Sequence, residues 1–294
     1  MSVDRGRYRM FAWLVASILL WWGCPTAPYG GDDDDGADDD DVADDDTADD
    51  DTGDDDTAGD DDTAGDDDTA DDDSGDVDPP LHETSGGSGG GTCPSGCVEQ
   101  VGAVEYRIIV PGSYSGAATP MLLVFSGTEG GEMMTQNMRQ LAPHFGLGSA
   151  VIAVIDGWEY NGDGGAGMLV LDDVRDRYNV DNDCTYLLSE SAGTTAGLEL
   201  GFSLRQSYFA AFWANDVNAQ ASPASTAGQL GFAPWGNAGP GGDFADANAI
   251  VDGMTAAGYR FDGAAPYDGA GAGQHGSTEQ FMAAVSFFAG KSRL

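Results

Sequence analysis

The sequence predicts an α/β fold: a mostly parallel, doubly wound sheet with helices on both faces and a minimal lid or none. Three observations lead there. From residue 104 onward, short apolar runs alternate with stretches of helical spacing, the order that parallel βαβ units require. One of those runs, ending at Ser191, turns at once into a segment rich in small residues. A single histidine, His275, follows that serine, inside a glycine-rich loop.

The elements follow in order. Residues 104–111 read as an early strand, and 121–125 (MLLVF) as a buried one that ends in the turn SGTEGG. A helix runs from that turn to about residue 142, where Pro143 stops it. Residues 150–155 form a second buried strand, closed by Asp156-Gly-Trp158. In 168–178 the apolar residues Val170, Val174 and Tyr178 recur every four positions, which predicts a helix. Residues 185–188 are the strand that feeds Ser191, and 192–204 the helix behind it. Two further strands are expected at 208–215 and 229–235. A helix over 244–257 ends at Gly258, a C-cap. The last strand is expected at 259–266, and a terminal helix runs through 289 after the His275 loop. The G-x-G-x-x-G at 271–276 has no room for a following βαβ unit, so it is not read as a dinucleotide site.

Three segments divide the chain. Residues 1–23 carry Arg5, Arg7 and Arg9 ahead of an apolar run, the pattern of a secretory signal. Residues 24–92 read as a linker. Its stretch 32–78 holds 28 of the chain's 51 acidic residues and neither Lys nor Arg, so it has no apolar face to bury and repels itself. A solvated spacer is one reading of this tract and loose Ca²⁺ loading another. Residues 93–294 remain for one folded domain. The formal net charge of −40 and the lack of a basic patch argue against nucleic acid as a partner.

Cys24 follows a small residue directly after the signal, where a lipid-attachment cysteine would stand; simple cleavage and free secretion is the alternative. Cys93 and Cys97, in C-P-S-G-C, are spaced to bridge as a disulfide, which an exported domain permits. Cys184 then remains as a small buried residue. No metal site and no cofactor are expected.

The chemistry centres on Ser191. A serine hydroxyl needs a base to take its proton, and histidine titrates in the right range. In the strand–elbow–helix arrangement the chain order is serine, acid, histidine, which selects His275; His144 reads as a surface or packing residue. The oxyanion donors would be the backbone N–H of Ala192, next to the nucleophile, and that of Thr128 in the turn after the first buried strand. The acid stays open. Asp243, just before a helix, is placed best by topology but could equally cap that helix; Asp246 and Asp216 are the alternatives. Trp158 and Trp235, at strand ends, could flank a substrate.

The runs YRIIVP at 106–111, VIDGW at 154–158, DDVRDRYNVD at 172–181, the Ser191 elbow and YDGAGAGQH at 267–275 together resemble the secreted α/β-hydrolases of the polyhydroxybutyrate depolymerase, feruloyl esterase and acetylxylan esterase group. The resemblance implies an α/β-hydrolase fold, with Ser191 as nucleophile, His275 as base, and Thr128 and Ala192 as oxyanion donors. The chain departs from that pattern at three places. Ser126-Gly127 stands where the group has His-Gly, Ser189 replaces the first glycine of G-x-S-x-G, and Gly239 falls where the acid is expected.

The expectation is an exported serine esterase, lipid-anchored or free, acting on a polyester or a polysaccharide-linked ester. The alternatives are a catalytically impaired hydrolase fold that serves as a surface-tethered binding protein, and a structural surface protein with a Ca²⁺-binding tract.

Overall fold

A computed structural model of the chain describes residues 78–293. The signal segment, Cys24 and the aspartate tract up to residue 77 lie outside the described residues. Among the described residues seven strands form one sheet: β1 (Cys93–Val101), β2 (Val104–Val110), β3 (Thr119–Phe125), β4 (Val151–Ile155), β5 (Val180–Glu190), β6 (Ala211–Asn215) and β7 (Trp235–Ala238). Their spatial order is β1-β2-β4-β3-β5-β6-β7. The β1–β2 and β2–β4 pairs are antiparallel, and the remaining pairs are parallel. With the helices described next, this is the α/β-hydrolase fold.

Within the described residues six α-helices accompany the sheet: α1 (Gly130–Leu141), α2 (Gly164–Arg177), α3 (Thr194–Glu199), α4 (Ala227–Leu230), α5 (Phe244–Ala257) and α6 (Thr278–Phe287). Strand side chains alternate between faces, and the core divides accordingly. Leu123, Phe125, Ile155, Leu187 and Phe212 pack with Val170 and Val174 of α2, Leu198 of α3, and Ile250 and Met254 of α5. Leu122, Val124, Val154, Leu188 and Trp213 pack on the other face with Met134 and Met138 of α1 and Val285 of α6. The central strands are therefore apolar on both faces, as parallel strands covered on both sides must be. Among the described residues no helix is long and apolar enough to cross a membrane.

Several elements differ from the sequence reading. Cys93 and Cys97 bridge as expected, with a Cα–Cα distance of 6.1 Å, but the segment they close is the start of an edge strand, β1, that runs on to Val101. Residues 229–235 are not a strand. The chain makes the short helix α4 and then enters β7 six residues later than expected. Residues 259–266 contribute a single bridge, Trp235 to Arg260, rather than a last strand. Cys184 is buried as expected, but it is disulfide-bonded rather than a spare thiol.

The linker boundary also moves. Residues 78–92 are bound into the domain. The Asp78 carboxylate accepts from Ser207 Oγ, the Ser85 N–H donates to Val180 O at 2.8 Å, and Thr84 bridges to Asp181. Arg293 locks this segment down. It is 1% exposed, and its guanidinium donates to Pro79 O, Pro80 O and Ser207 O at 2.8–3.0 Å and pairs with Asp183 at 3.2 Å.

Candidate active site

β5 ends at Glu190, and the chain turns through a single 3-10 turn, Ser191–Gly193, into α3. Ser191 sits at the apex with φ +46°, a left-handed conformation that costs a non-glycine residue about 1–3 kcal/mol. It is the strained elbow that raises a serine hydroxyl above the sheet. Ser191 Oγ lies 2.9 Å from Nε2 of His275, which the loop before α6 brings in from 84 residues further along the chain.

The tightness of the turn explains its small residues. A Cβ on Gly193 would stand 2.6 Å from Ser126 O and 2.7 Å from Phe125 Cβ. On the other side, Ser189 takes a place held by glycine in the resembling group. Its Cβ fits because Gly197 of α3 has none; a Cβ there would come within 2.4 Å of it. Ser189 Oγ is buried without a hydrogen-bond partner, so the hydroxyl contributes nothing polar in exchange.

The turn after β3 leans on the nucleophile. A Cβ on Gly127 would meet Ser191 Cβ at 3.2 Å, and this close approach puts Thr128 and Ala192 on neighbouring strand ends. Ser126, where the resembling group has histidine, is fully buried and accepts the Gly157 N–H at 3.1 Å, tying the β3 turn to the β4 turn. Glu129 is exposed as a residue, yet its carboxylate folds back to accept the Gly127 N–H at 3.0 Å. Desolvation there holds that carboxyl above its ordinary range.

The expected acid, Asp243, is placed elsewhere. Its Oδ1 accepts the Asp246 N–H at 3.1 Å as the N-cap of α5, and Asp246 itself accepts from Gln220. Neither bonds His275. Asp216, at the end of β6 with φ +48° and 1% exposed, comes closest to the role. One of its carboxylate oxygens accepts the N–H of Gly276, the residue after His275, and the other accepts Gln280 Nε2 at 2.7 Å. Among the described residues no carboxylate hydrogen-bonds His275 Nδ1.

Gly239 shows why β7 carries no acid. A side chain there would run into Asn215 Oδ1 at 2.3 Å and Gln280 Nε2 at 2.8 Å. These two amides fill the space and serve Asp216's neighbourhood instead. Gly239→Asp, which restores the residue of the resembling group, is therefore expected to lose about 1–3 kcal/mol through overpacking, read as a lower denaturant midpoint. An unchanged midpoint would contradict this account of the glycine.

The two tryptophans separate. Trp158 is 67% exposed, one residue beyond Gly157, on which a Cβ would come within 2.7 Å of Gly193 Cα, so it stands on the rim of the site. Trp235 opens β7 and pairs with Ala211, the first residue of β6, which places it at the opposite end of the sheet from Ser191. Arg260 and Lys291 stack on its ring. It cannot flank a substrate at Ser191.

Sequence reasoning assigned nothing to Glu190, Asn215 or Gln280. Glu190 was visible as a carboxyl group ending a strand otherwise buried on both faces, and burial of such a group demands an explanation. In the folded chain its carboxyl is held well above the usual range by desolvation first and by the Asp216 charge second. The folded chain thus keeps a proton that the unfolded chain releases near pH 4.5, so stability falls as pH rises from there until the folded group also ionises. Glu190→Gln has no such proton to lose. Its stability relative to the parent is expected to rise between pH 4 and pH 8, which pH-resolved thermal melts would check.

No family model matches the chain, and no curated protein matches it. Solved structures do. A thermostable esterase aligns at 12% identity and a TM-score of 0.49, covering 67% of this chain and 63% of that one. A dienelactone hydrolase-like promiscuous phosphotriesterase, P91, from metagenomic libraries gives 14% and 0.46 over 67% and 97%. A ferulic acid esterase from Anaeromyces mucronatus gives 11% and 0.44 over 67% and 90%.

Proposed function

We propose that the chain is a serine carboxylic-ester hydrolase working outside the cytoplasm. The observation that carries this reading is the 2.9 Å contact between Ser191 Oγ, on its strained elbow, and His275 Nε2. His275 takes the hydroxyl proton as Ser191 attacks the ester carbonyl. The N–H groups of Thr128 and Ala192 receive the developing oxyanion. The protonated imidazole then gives its proton to the departing alcohol, leaving an acyl-enzyme. Water, deprotonated by the same imidazole, releases the acid. The chemistry calls for no cofactor. Asp216 supports it by holding the Gly276 N–H and so fixing the loop on which His275 rides.

The substrate we favour is a polyester or a polysaccharide-linked ester. Trp158 supports this, since an exposed indole on the rim offers a flat apolar face to an extended or ring-bearing chain. The signal segment supports export, and Cys24 stays the proposed lipid site. The intact mass of the purified chain reads whether Cys24 carries lipid.

One observation favours a second reading, a hydrolase fold retained for binding: the Nδ1 side of His275 lacks a carboxylate among the described residues. Hydrolysis of p-nitrophenyl acetate and butyrate decides between the two. Turnover well above the Ser191→Ala background supports the esterase. A folded chain with no turnover, and no labelling of Ser191 by a fluorophosphonate, would hand the site to the binding reading.

A further inference from the structure

The turn that follows β3 is fastened at both ends and held in the middle by one side chain. At its start the Ser126 hydroxyl accepts the Gly157 N–H at 3.1 Å. Just past its end the Gly131 N–H donates to Asp156 Oδ2 at 3.0 Å, so both ends are tied to the turn after β4. Between them lies Gly127. Its carbonyl accepts the Gly130 N–H and the Ser126 hydroxyl, each at 3.2 Å. Its own N–H donates to Glu129 Oε1 at 3.0 Å.

Glycine has the freest backbone of any residue, and nothing larger fits here. A Cβ on Gly127 would stand 2.5 Å from Glu129 Oε2, 3.2 Å from Ser191 Cβ and 3.3 Å from Glu190 Cγ. That freedom bears on the next residue. The peptide unit between 127 and 128 is planar and trans, so the Gly127 carbonyl and the Thr128 N–H point in opposite directions and turn together. With the carbonyl engaged by Gly130 at the start of α1, the N–H points away from that helix. Among the described residues the Thr128 N–H has no hydrogen-bond partner, which leaves it open to a ligand.

We propose that Glu129 is a positioning residue for the oxyanion donor. Its carboxylate oxygen fixes the peptide unit before Gly127, the Gly130 N–H fixes the one after it, and the Thr128 N–H is thereby aimed at the ester oxygen over Ser191. Glu129 itself touches no reacting atom. The turn requires of it an acceptor of the right reach, not a charge. A negative charge beside a developing oxyanion opposes the reaction, so an uncharged acceptor of the same length serves in its place. The catalytic consequence rests on the reading of Ser191 and Thr128, whereas the locking of Gly127 does not.

The test compares the full chain with Glu129→Leu, which fills similar space but accepts no hydrogen bond, and with Glu129→Gln, which does. On p-nitrophenyl butyrate, Glu129→Leu is expected to lose about 10–100-fold in kcat, below the cost of removing a whole oxyanion donor. KM is expected to stay nearly unchanged, because the donor acts in the transition state. An alkyl trifluoromethyl ketone reads the same donor without turnover. Ser191 Oγ adds to its carbonyl carbon, the hydroxyl proton passes to His275, and the ketone oxygen becomes the oxyanion. Its Ki is expected to rise in Glu129→Leu by the factor that kcat/KM falls, and Glu129→Gln to rescue both quantities. The fraction of Ser191 titrated by a fluorophosphonate corrects each rate for folded protein, and Glu129→Ala replaces the leucine variant if that one does not fold. A Glu129→Leu with the parent kcat and Ki overturns the positioning role, and so does a Glu129→Gln that falls with it. The locking is read separately. Thr128 lies in one of three Gly–Thr pairs, which [1-¹³C]glycine and [¹⁵N]threonine select, and its signal is the one missing in Thr128→Ser. Its ¹⁵N relaxation is expected to show an ordered amide in the parent and Glu129→Gln and a mobile one in Glu129→Leu. Equal order in all three overturns the locking. Neither turnover nor ketone binding in the parent sinks the esterase reading, while the relaxation still decides whether Glu129 locks the turn.

Discussion

Ser191→Ala is expected to lower kcat for p-nitrophenyl butyrate by about 10⁴–10⁶-fold, because removing the nucleophile removes a whole chemical route rather than one supporting contact. What survives is the contribution of the oxyanion donors and of substrate binding, which still favour attack by water. The substitution deletes one oxygen that is 2.9 Å from His275 and leaves the packing around Gly193 and Ser126 untouched. Alanine inherits the same positive φ, so the strain of the elbow stays and the melting temperature should hardly change. A steady-state assay beside a thermal melt reads both quantities. A variant that keeps a tenth or more of the parent rate would place the chemistry at another residue.

Arg293→Met is expected to destabilise the domain by about 3–5 kcal/mol, the range for removing one partner from a buried charge pair. For a domain of this size that lowers Tm by roughly 6–20 °C. The methionine keeps the apolar stem, but the guanidinium over the Phe232 ring is gone, Asp183 loses its partner and three carbonyls lose a donor. His82, which also reaches the Asp183 carboxylate at 3.0 Å, cannot replace it, being largely exposed. Limited proteolysis should show cleavage within 78–92 appearing well before the sheet is cut. Equal Tm values for the two proteins would mean that the segment is held by the Ser85–Val180 bonds instead.

The central strands were legible because they are buried on both faces, which writes continuous apolar runs such as MLLVF and VIAVI. Ser191 was legible because the elbow needs small neighbours, and His275 because no other histidine follows. The edge of the sheet was harder to read. β7 is W-G-N-A, with no β-branched residue, and is a strand only because β6 offers its main chain; the Trp235 N–H donates to Ala210 O at 2.8 Å. β1 alternates irregularly, with a disulfide and a register shift between Cys93 and Cys97. Both are tertiary effects that local propensity does not encode.

The acid could not be read for a similar reason. Asp243 stands in the right loop, but the local demand for an N-cap takes it first. Asp216 was one of several aspartates after strands. It stands out only when α6 folds back and brings Gln280 and Gly276 to it. The Gly239 departure then looks less like a loss than a consequence, since amides from β6 and α6 occupy the volume.

The position of Arg293 bears on how the domain would carry load. Asp183 lies near the start of β5 and Ser191 just past its end, about 25 Å apart at 3.3 Å per residue. Tension applied through the chain ahead of Asp78 enters at the pole of the sheet away from the catalytic groups. There it meets the guanidinium clamp and the Thr84–Asp181 bridge before any catalytic strand end. A pull from that side would shear this seam first, ahead of the strand ends that carry Ser191 and His275.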